Sequence, residues 1–214
     1  MLEPDLFTPS AAPLPLAPGL AWLQGFALAW EDALLEAMTR ITAAAPLRHL
    51  RTPGGQPMSV AMTNCGPLGW ISDRRGYRYS ATDPHSGEPW PALPPPLQHL
   101  ADAAARAAGF GAFEPDACLI NAYVPGARMS LHQDRDERDF SAPIVSVSLG
   151  LPAVFLFGGP TRKSRPLRLP LTHGDVVVWG GPARLAFHGV APVADGQHPR
   201  LGRQRINLTL RRAR

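Results

Sequence analysis

The stretch from Ser130 to Glu137, SLHQDRDE, places one histidine and three acids close together. His132 and Asp134 are two positions apart, so in an extended segment both side chains would point to one face and could bind one ion. A third ligand must come from elsewhere, and His188 lies in another predicted strand. Two histidines and one carboxylate leave three positions of an octahedron open, as in non-haem Fe(II) oxygenases, whereas zinc prefers a tetrahedral site. Alone, H-x-D more often marks a charged surface turn, and both alternatives stay open.

The C-terminal segment RINLTLR, residues 205–211, alternates polar and apolar residues. In a strand, one face would carry Arg205, Asn207, Thr209 and Arg211, and the other Ile206, Leu208 and Leu210. Burying two arginines costs free energy unless an anion pairs with them, and a dicarboxylate co-substrate is such an anion. The alternative is an edge strand whose polar face lies in water.

The elements that must position these residues are two helices followed by many short strands. Residues 30–44 and 94–108 carry apolar side chains at helical spacing, with Gly109 as a C-cap. From about residue 117 the pattern changes to short strands bounded by Gly, Pro or Asp, with no helices between them. This pattern predicts a mainly β protein with flanking helices (α+β) and an antiparallel sandwich or jelly roll as its core.

Length and composition predict one domain with a modest basic charge. The chain has 214 residues, is 45% hydrophobic and carries a formal net charge of +4. Residues 1–20 read as an extended leader rather than a secretory signal, because their charges are acidic and prolines interrupt the apolar run. No segment offers about 18 uninterrupted apolar residues, so we expect no membrane span. Cys65 and Cys118 are expected to be reduced, half-buried thiols of a cytoplasmic protein.

Several motifs in series then resemble one family. His132-Gln133-Asp134, the later His188 and RINLTLR are accompanied by NAYVPG at 121–126 and by MSVAMTNCGPLGW, FEPDACLIN, APIVSVSLGLPA and HGDVVVWGG. From about residue 20 to the end, this order resembles the AlkB family of Fe(II)- and 2-oxoglutarate-dependent dioxygenases. The resemblance implies a single catalytic domain over 21–214. Within it we expect a double-stranded β-helix (jelly roll) core over 115–214, N-terminal helices and a nucleotide-recognition lid over 45–90.

The resemblance also implies the catalytic residues and their co-substrates. Fe(II) would be held by His132, Asp134 and His188, and 2-oxoglutarate by Asn121, Tyr123, Arg205, Asn207 and Arg211. With O2, 2-oxoglutarate would be converted to succinate and CO2 while an N-methyl group is hydroxylated and lost as formaldehyde. The expected activity is direct-reversal DNA repair of 1-methyladenine and 3-methylcytosine type lesions in single-stranded DNA, with RNA as a further candidate.

Such alkylated bases carry a positive charge, and the stretch 130–137 contains a further acid, Asp136, that could interact with it. A carboxylate at Asp136 would favour a cationic base, and stacking on Trp70 would contribute about 0.5–2 kcal/mol. The substrate residues implied by the resemblance are Thr52, Met62, Trp70, Tyr77, Arg78, Tyr79, Asp136 and Arg162. The alternatives are that the aromatic residues cover the core, that Asp136 is a turn acid, and that Arg162 belongs to a solvated basic loop.

Two rival functions stay open. The same chemistry could act on a protein side chain or a small metabolite, although an aromatic lid beside Asp136 argues against this. A jelly-roll binding module with a structural metal is the other rival. A monomer is the default expectation for the oligomeric state.

Overall fold

The structure is a computed structural model that describes residues 14–214. It confirms the mainly β class with flanking helices. The two helices are α1 (Glu31–Ala44) and α2 (Pro95–Ala107), and two short 3-10 helices span Phe26–Trp30 and Gly181–Ala183. Residues 1–13 of the predicted leader lie outside the described residues.

Within the described range the chain forms short strands on both sides of the helices. In chain order they are β1 (Leu14–Ala17), β2 (Leu20–Leu23), β3 (Arg48–Arg51), β4 (Pro57–Cys65), β5 (Gly69–Asp73), β6 (Gly76–Ser80), β7 (Ala117–Tyr123), β8 (Met129–His132), β9 (Ile144–Gly150), β10 (Ala153–Phe157), β11 (Leu167–Leu171), β12 (Val176–Trp179), β13 (His188–Val190) and β14 (Arg205–Arg211).

The strands form two facing sheets and one separate hairpin. The large sheet has the order β1-β2-β12-β9-β14-β7-β4-β3, the small sheet has the order β11-β10-β13-β8, and β5 pairs with β6. All the pairings are antiparallel, as predicted for a jelly roll. Two strands from the segment predicted as a lid, β3 and β4, extend the large sheet, whereas β5 and β6 form the hairpin.

The C-terminal strand β14 lies in the middle of the large sheet, between β9 and β7. The edge-strand alternative is therefore wrong. Its apolar face, Ile206, Leu208 and Leu210, packs in the cluster that α1 and α2 cover, and its polar face turns toward the small sheet. The helices supply this cover because their apolar positions recur at helical spacing, with Leu34 on α1 and Leu97 on α2 fully buried.

Two further expectations from the sequence concern the two cysteines and the end of α2. Cys65 and Cys118 are free but fully buried, not half-buried, because they are paired across β4 and β7 and lie in the core cluster that the helices cover. Gly109 follows α2 with φ of 83°, as a C-cap glycine should. Among residues 14–214, no helix combines the length and apolarity that crossing a membrane requires.

One ion pair joins β3 to the segment that follows the β5–β6 hairpin. Arg48 donates from Nη1 to Asp83 Oδ1 at 2.8 Å and from Nη2 to Asp83 Oδ2 at 2.5 Å, and Asp83 is buried. This hydrogen-bonded arginine lowers the pKa of Asp83 below its ordinary value. The pair should therefore stabilise the fold above the unfolded-state pKa of about 4, and lose that contribution as pH falls through the folded-state pKa.

Asp83→Asn is expected to lower the free energy of unfolding at pH 7 by about 2 kcal/mol, because a bidentate, charge-assisted contact is lost. Urea unfolding of both proteins at pH 7 and at pH 3 measures it, and the difference should shrink at pH 3. Glu36→Gln is the matched control, because it breaks an exposed pair with Arg40 and should cost under about 0.5 kcal/mol. An equal loss at both pH values would contradict the assignment.

Candidate active site

The register of two strands brings the two candidate histidine ligands together. His132 at the end of β8 pairs directly with His188 at the start of β13, and their ring centroids are 4.4 Å apart. Gly189 allows this approach, because a Cβ there would lie 2.6 Å from the Met129 carbonyl oxygen. One strand pairing thus brings together two histidines that are 56 positions apart in the chain.

Asp134 completes the cluster, although it lies outside β8. Its Oδ1 is 3.6 Å from His132 Nε2 and its Oδ2 is 3.6 Å from His188 Nε2. Each of the three residues offers one ligand atom, and these atoms lie within 4.8 Å of one another. Residues 133–143 form no helix or strand, so the shared face expected from an extended H-x-D segment is produced by an irregular one.

The backbone fixes which ring nitrogen of each histidine faces the cluster. His132 Nδ1 lies 2.9 Å from the Ser130 carbonyl oxygen, and His188 Nδ1 lies 3.0 Å from the Ala186 carbonyl oxygen. Since a carbonyl only accepts, each Nδ1 carries a hydrogen, and Nε2 is the ring nitrogen that faces the cluster. Burial and the neighbouring His188 lower the pKa of His132 to about 4, so it is neutral near pH 7 and suited to bind a cation.

Arg211 keeps the acid of the cluster ionised. Burial alone would raise the pKa of Asp134, but the Arg211 guanidinium, together with His188, holds it well below its ordinary value. Arg211 donates from Nε and Nη2 to Asp134 Oδ2, at 2.9 and 2.6 Å. The structure therefore places this predicted 2-oxoglutarate residue directly on a candidate metal ligand.

Arg205 is a buried cation with unused hydrogen-bond donors. It is 1% exposed, and its Nη2 donates to Ser148 Oγ at 2.9 Å. In the described part of the chain, neither its Nε nor its Nη1 has a hydrogen-bond partner. The Tyr123 ring, 5.0 Å from the guanidinium carbon, covers it. A buried guanidinium with two free donor groups is costly unless an anion binds there.

Polar side chains from β7 and β14 continue from Arg205 toward the histidines. Asn121 and Asn207 are direct partners across the β7–β14 pair, and Asn121 Nδ2 donates to Asn207 Oδ1 at 3.3 Å. Asn121 Oδ1 is buried and unpaired among the described residues. A single cavity between the sheets is lined by Asn121, Tyr123, Met129, His132, Ser146, Phe155, Trp179, His188, Gly189, Val190, Asn207, Thr209 and Arg211.

The β5–β6 hairpin brings aromatic residues to an acid of the irregular segment. The Trp70 Nε1–H donates to Asp136 Oδ2 at 2.8 Å, and the Trp70 ring stacks on Tyr77 with centroids 5.4 Å apart. Tyr77 and Asp136 are both exposed. Arg78, which is predicted to contact substrate, donates to both oxygens of Asp73 at 2.8 and 2.7 Å within the hairpin.

Two buried residues that we did not predict tie this region together. Glu137 accepts from the Tyr79 hydroxyl at 2.7 Å, and burial raises the pKa of Tyr79 well above its ordinary range. Arg184 lies between Glu137 and the backbone of Asp134. The sequence contained a signal for both residues. Glu137 is the last acid of the stretch SLHQDRDE, and Arg184 is the only charged residue in the apolar run VVVWGGPARLAF.

The remaining predicted substrate residues lie in different surroundings. Thr52 is in a turn, where its hydroxyl accepts from the Gln56 N–H at 3.2 Å. Met62 is buried on β4 in the cluster between the sheets. Arg162 is exposed on the β10–β11 turn, with its guanidinium carbon 5.5 Å from the centre of the Phe187 ring.

Comparison with known proteins decides the family. A family model described as the 2OG-Fe(II) oxygenase superfamily matches residues 19–211. The alpha-ketoglutarate-dependent dioxygenase AlkB of Salmonella typhimurium is 53% identical over 210 residues, which cover 98% of this chain and 97% of that protein. This chain belongs to the AlkB family.

Other AlkB-family relatives are more distant. The tRNA demethylase abh1 of Schizosaccharomyces pombe is 27% identical over 172 residues, or 74% of this chain and 57% of that protein. The solved structure of OsALKBH1 superimposes with a TM-score of 0.82 at 26% identity, covering 94% of this chain and 99% of that one. The close match in structure is consistent with the jelly-roll core.

Membership in the AlkB family makes the chain an Fe(II)- and 2-oxoglutarate-dependent dioxygenase that uses O2. Its residues fit both groups. Two imidazoles and one ionised carboxylate form the donor set that suits ferrous iron. The unpaired donors of Arg205 suit the far carboxylate of a five-carbon diacid, since a guanidinium binds a carboxylate through two parallel hydrogen bonds.

Proposed function

We propose that this enzyme removes methyl and related groups from 1-methyladenine and 3-methylcytosine type bases in single-stranded DNA, with RNA as a second substrate, and releases formaldehyde. The observation that carries the proposal is the hydrogen bond between Trp70 and Asp136. It holds an aromatic ring, on which a flat base would stack, next to a carboxylate that would attract the positive charge of the base. This carboxylate lies two residues from Asp134. The relative named tRNA demethylase abh1 supports a nucleic acid as the class of substrate.

In this proposal the iron would be held by His132 Nε2, Asp134 and His188 Nε2. Arg205 binds the far carboxylate of 2-oxoglutarate, and Asn121, Tyr123, Asn207 and Arg211 complete its pocket. When bound, iron and 2-oxoglutarate together supply the oxidation by O2 that hydroxylates the methyl group.

The protein's own contribution is position and charge. Arg211 keeps Asp134 ionised, and the two backbone carbonyls keep both Nε2 atoms available. The apolar side chains of Phe155 and Trp179 line the same cavity and limit the access of water to it. No side chain has to act as a nucleophile, because the methyl group only needs to be held in the reactive position.

The substrate must reach this site unpaired. The alkylated nitrogen lies on the pairing edge of the base, so the base must come from a single strand or be flipped out of a duplex. Trp70, Tyr77 and Tyr79 are proposed to cover the base, with Thr52, Met62 and Arg78 around it. Arg162 is proposed to contact a phosphate. The segment 162–168 carries four basic residues that are all exposed, which suits a polyanion.

Asp136→Asn is expected to reduce kcat/KM for 1-methyladenine about 10-fold relative to the neutral base 1-methylguanine. The amide keeps an acceptor for Trp70 Nε1 but removes the negative charge, and a single charge near a cation contributes about 1 to 4 kcal/mol. Steady-state rates on matched oligonucleotides measure the ratio. Asp195→Asn, at an exposed pair with Arg203, is the control and should leave it unchanged. An unchanged ratio in Asp136→Asn would show that Asp136 does not recognise the charge of the base and is only an acid in a turn.

The proposed function itself is tested with single-stranded oligonucleotides that carry one 1-methyladenine or 3-methylcytosine. We expect formaldehyde and restored base in equal amounts, dependent on Fe(II) and 2-oxoglutarate, and none from the unmodified strand. Absence of formaldehyde from both methylated strands under conditions that support 2-oxoglutarate turnover would reject nucleic-acid repair in favour of a protein or metabolite substrate.

We further propose that the enzyme works as a cytoplasmic monomer.

A further inference from the structure

The irregular segment 133–143 carries a large share of the site but little regular structure to hold it. It contains Asp134, Asp136 and Glu137, and none of its residues is in a helix or strand. A segment without a ladder of backbone hydrogen bonds must be fixed by other contacts if its side chains are to keep a defined geometry. The contacts that fix it therefore bear on the reaction.

Arg184 makes several of these contacts from the loop that leads into β13. Its Nε donates to the Ala142 carbonyl oxygen at 3.1 Å, and its Nη1 donates to the Asp134 carbonyl oxygen at 2.8 Å. Its Nη2 lies 3.3 Å from Glu137 Oε2, and its guanidinium carbon lies 5.2 Å from the centre of the Phe140 ring. One side chain thus contacts the beginning, the middle and the end of the segment.

The position of Arg184 in the chain adds to this role. It lies four residues before His188, so it couples the segment that supplies one candidate ligand to the loop that supplies another. Arg184 is 3% exposed, and each of its three guanidinium nitrogens faces an acceptor, either a backbone carbonyl oxygen or the Glu137 carboxylate. Lysine could not replace it, because one ammonium cannot reach two backbone carbonyls and a carboxylate in this planar arrangement.

We propose that Arg184 is a positioning residue, which fixes the Asp134 and Glu137 segment against the His188 loop and so sets the geometry of the iron site and of the carboxylates beside the substrate. This inference rests on the proposed role of Asp134 as an iron ligand. Glu137 transmits the same constraint to the hairpin, because its Oε1 accepts from the Tyr79 hydroxyl and lies 3.4 Å from Arg211 Nε.

The test compares Arg184→Met and Arg184→Lys with the wild-type enzyme. Mn(II) serves as a redox-stable probe of the metal site, and electron paramagnetic resonance measures the free ion. Loss of a group that orients a metal ligand typically weakens metal binding about 10- to 100-fold, and we expect that range for Arg184→Met and a smaller loss for Arg184→Lys. The 2-oxoglutarate consumed per base restored should rise several-fold in both variants, because a displaced methyl group is oxidised less often.

Arg138→Met is the matched control, because Arg138 is exposed and lies in the same segment. It should bind Mn(II) and couple 2-oxoglutarate to repair like the wild type. Lower thermal stability with unchanged Mn(II) affinity and coupling would overturn the proposal. If Arg184→Met does not fold, Arg184→Lys decides, and wild-type Mn(II) affinity there would reject it. Failure of the wild type to repair methylated strands would instead reject the proposed function and leave the Mn(II) result standing.

Discussion

Arg205→Met is expected to weaken 2-oxoglutarate binding by about 30-fold or more while making the ligand-free protein more stable. The loss follows because truncating one partner of a buried charged pair costs about 2–5 kcal/mol, and 1.4 kcal/mol corresponds to a factor of ten. The gain follows because two donor groups of the buried guanidinium are unpaired among the described residues. Replacing such a group by an apolar side chain should add about 1–3 kcal/mol to the free energy of unfolding.

Thermal unfolding with Mn(II), with and without 2-oxoglutarate, measures both effects. In the wild type, ligand at 100 times its Kd should stabilise by about 2.7 kcal/mol, and Arg205→Met should lose this increment. Arg203→Met removes a neighbouring but exposed arginine, so it should change neither quantity. If Arg205→Met destabilised the ligand-free protein and still responded to 2-oxoglutarate, Arg205 would be a structural residue.

His132→Gln is expected to reduce turnover by more than about 10³-fold, because one of the three proposed iron ligands is lost and a catalytic metal contributes several kcal/mol. The fold should survive, since His132 is neutral near pH 7 and its removal leaves no buried charge unpaired. Asp134→Ala is less suitable, because it would leave the Arg211 guanidinium buried without its carboxylate.

Formaldehyde release and Mn(II) binding should both fail in His132→Gln, while its thermal unfolding stays close to that of the wild type. His99→Gln, an exposed histidine on α2, is the control and should behave as the wild type in all three measurements. Retained Mn(II) affinity in His132→Gln would remove His132 from the set of ligands. Unfolding of the wild-type protein when its metal is removed would favour a structural metal.

Helices and strands were predicted well from local patterns, because each of these elements depends on the spacing of apolar residues within a short segment. The helix periodicity of residues 30–44 and the alternation in RINLTLR both reflect one buried face, and both elements form close to the predicted residues. The candidate ligands could be chosen from residue types and from the resemblance to a family. The location of β14 in the centre of the sheet could not be read from its own alternation, which an exposed edge would show equally.

The contacts between distant segments could not be read from spacing along the chain. That His132 lies opposite His188 is a matter of strand register, which the lone glycine at 189 permits but does not signal. The contact of Arg211 with Asp134 joins residues 77 positions apart. Arg184 and Glu137 were overlooked because a buried charge pair follows no short-range period. Such residues are recognised only when their partners are known.

The most direct test of the proposed iron and 2-oxoglutarate site is the anaerobic visible spectrum of the protein with Fe(II) and 2-oxoglutarate. We expect a weak charge-transfer band in the wild type, because a keto acid chelated to ferrous iron absorbs in the visible range. The band should be absent in His132→Gln and should appear in Arg205→Met only at far higher 2-oxoglutarate. A wild-type protein without the band at saturating Fe(II) and 2-oxoglutarate, or an unchanged band in His132→Gln, would contradict the assignment.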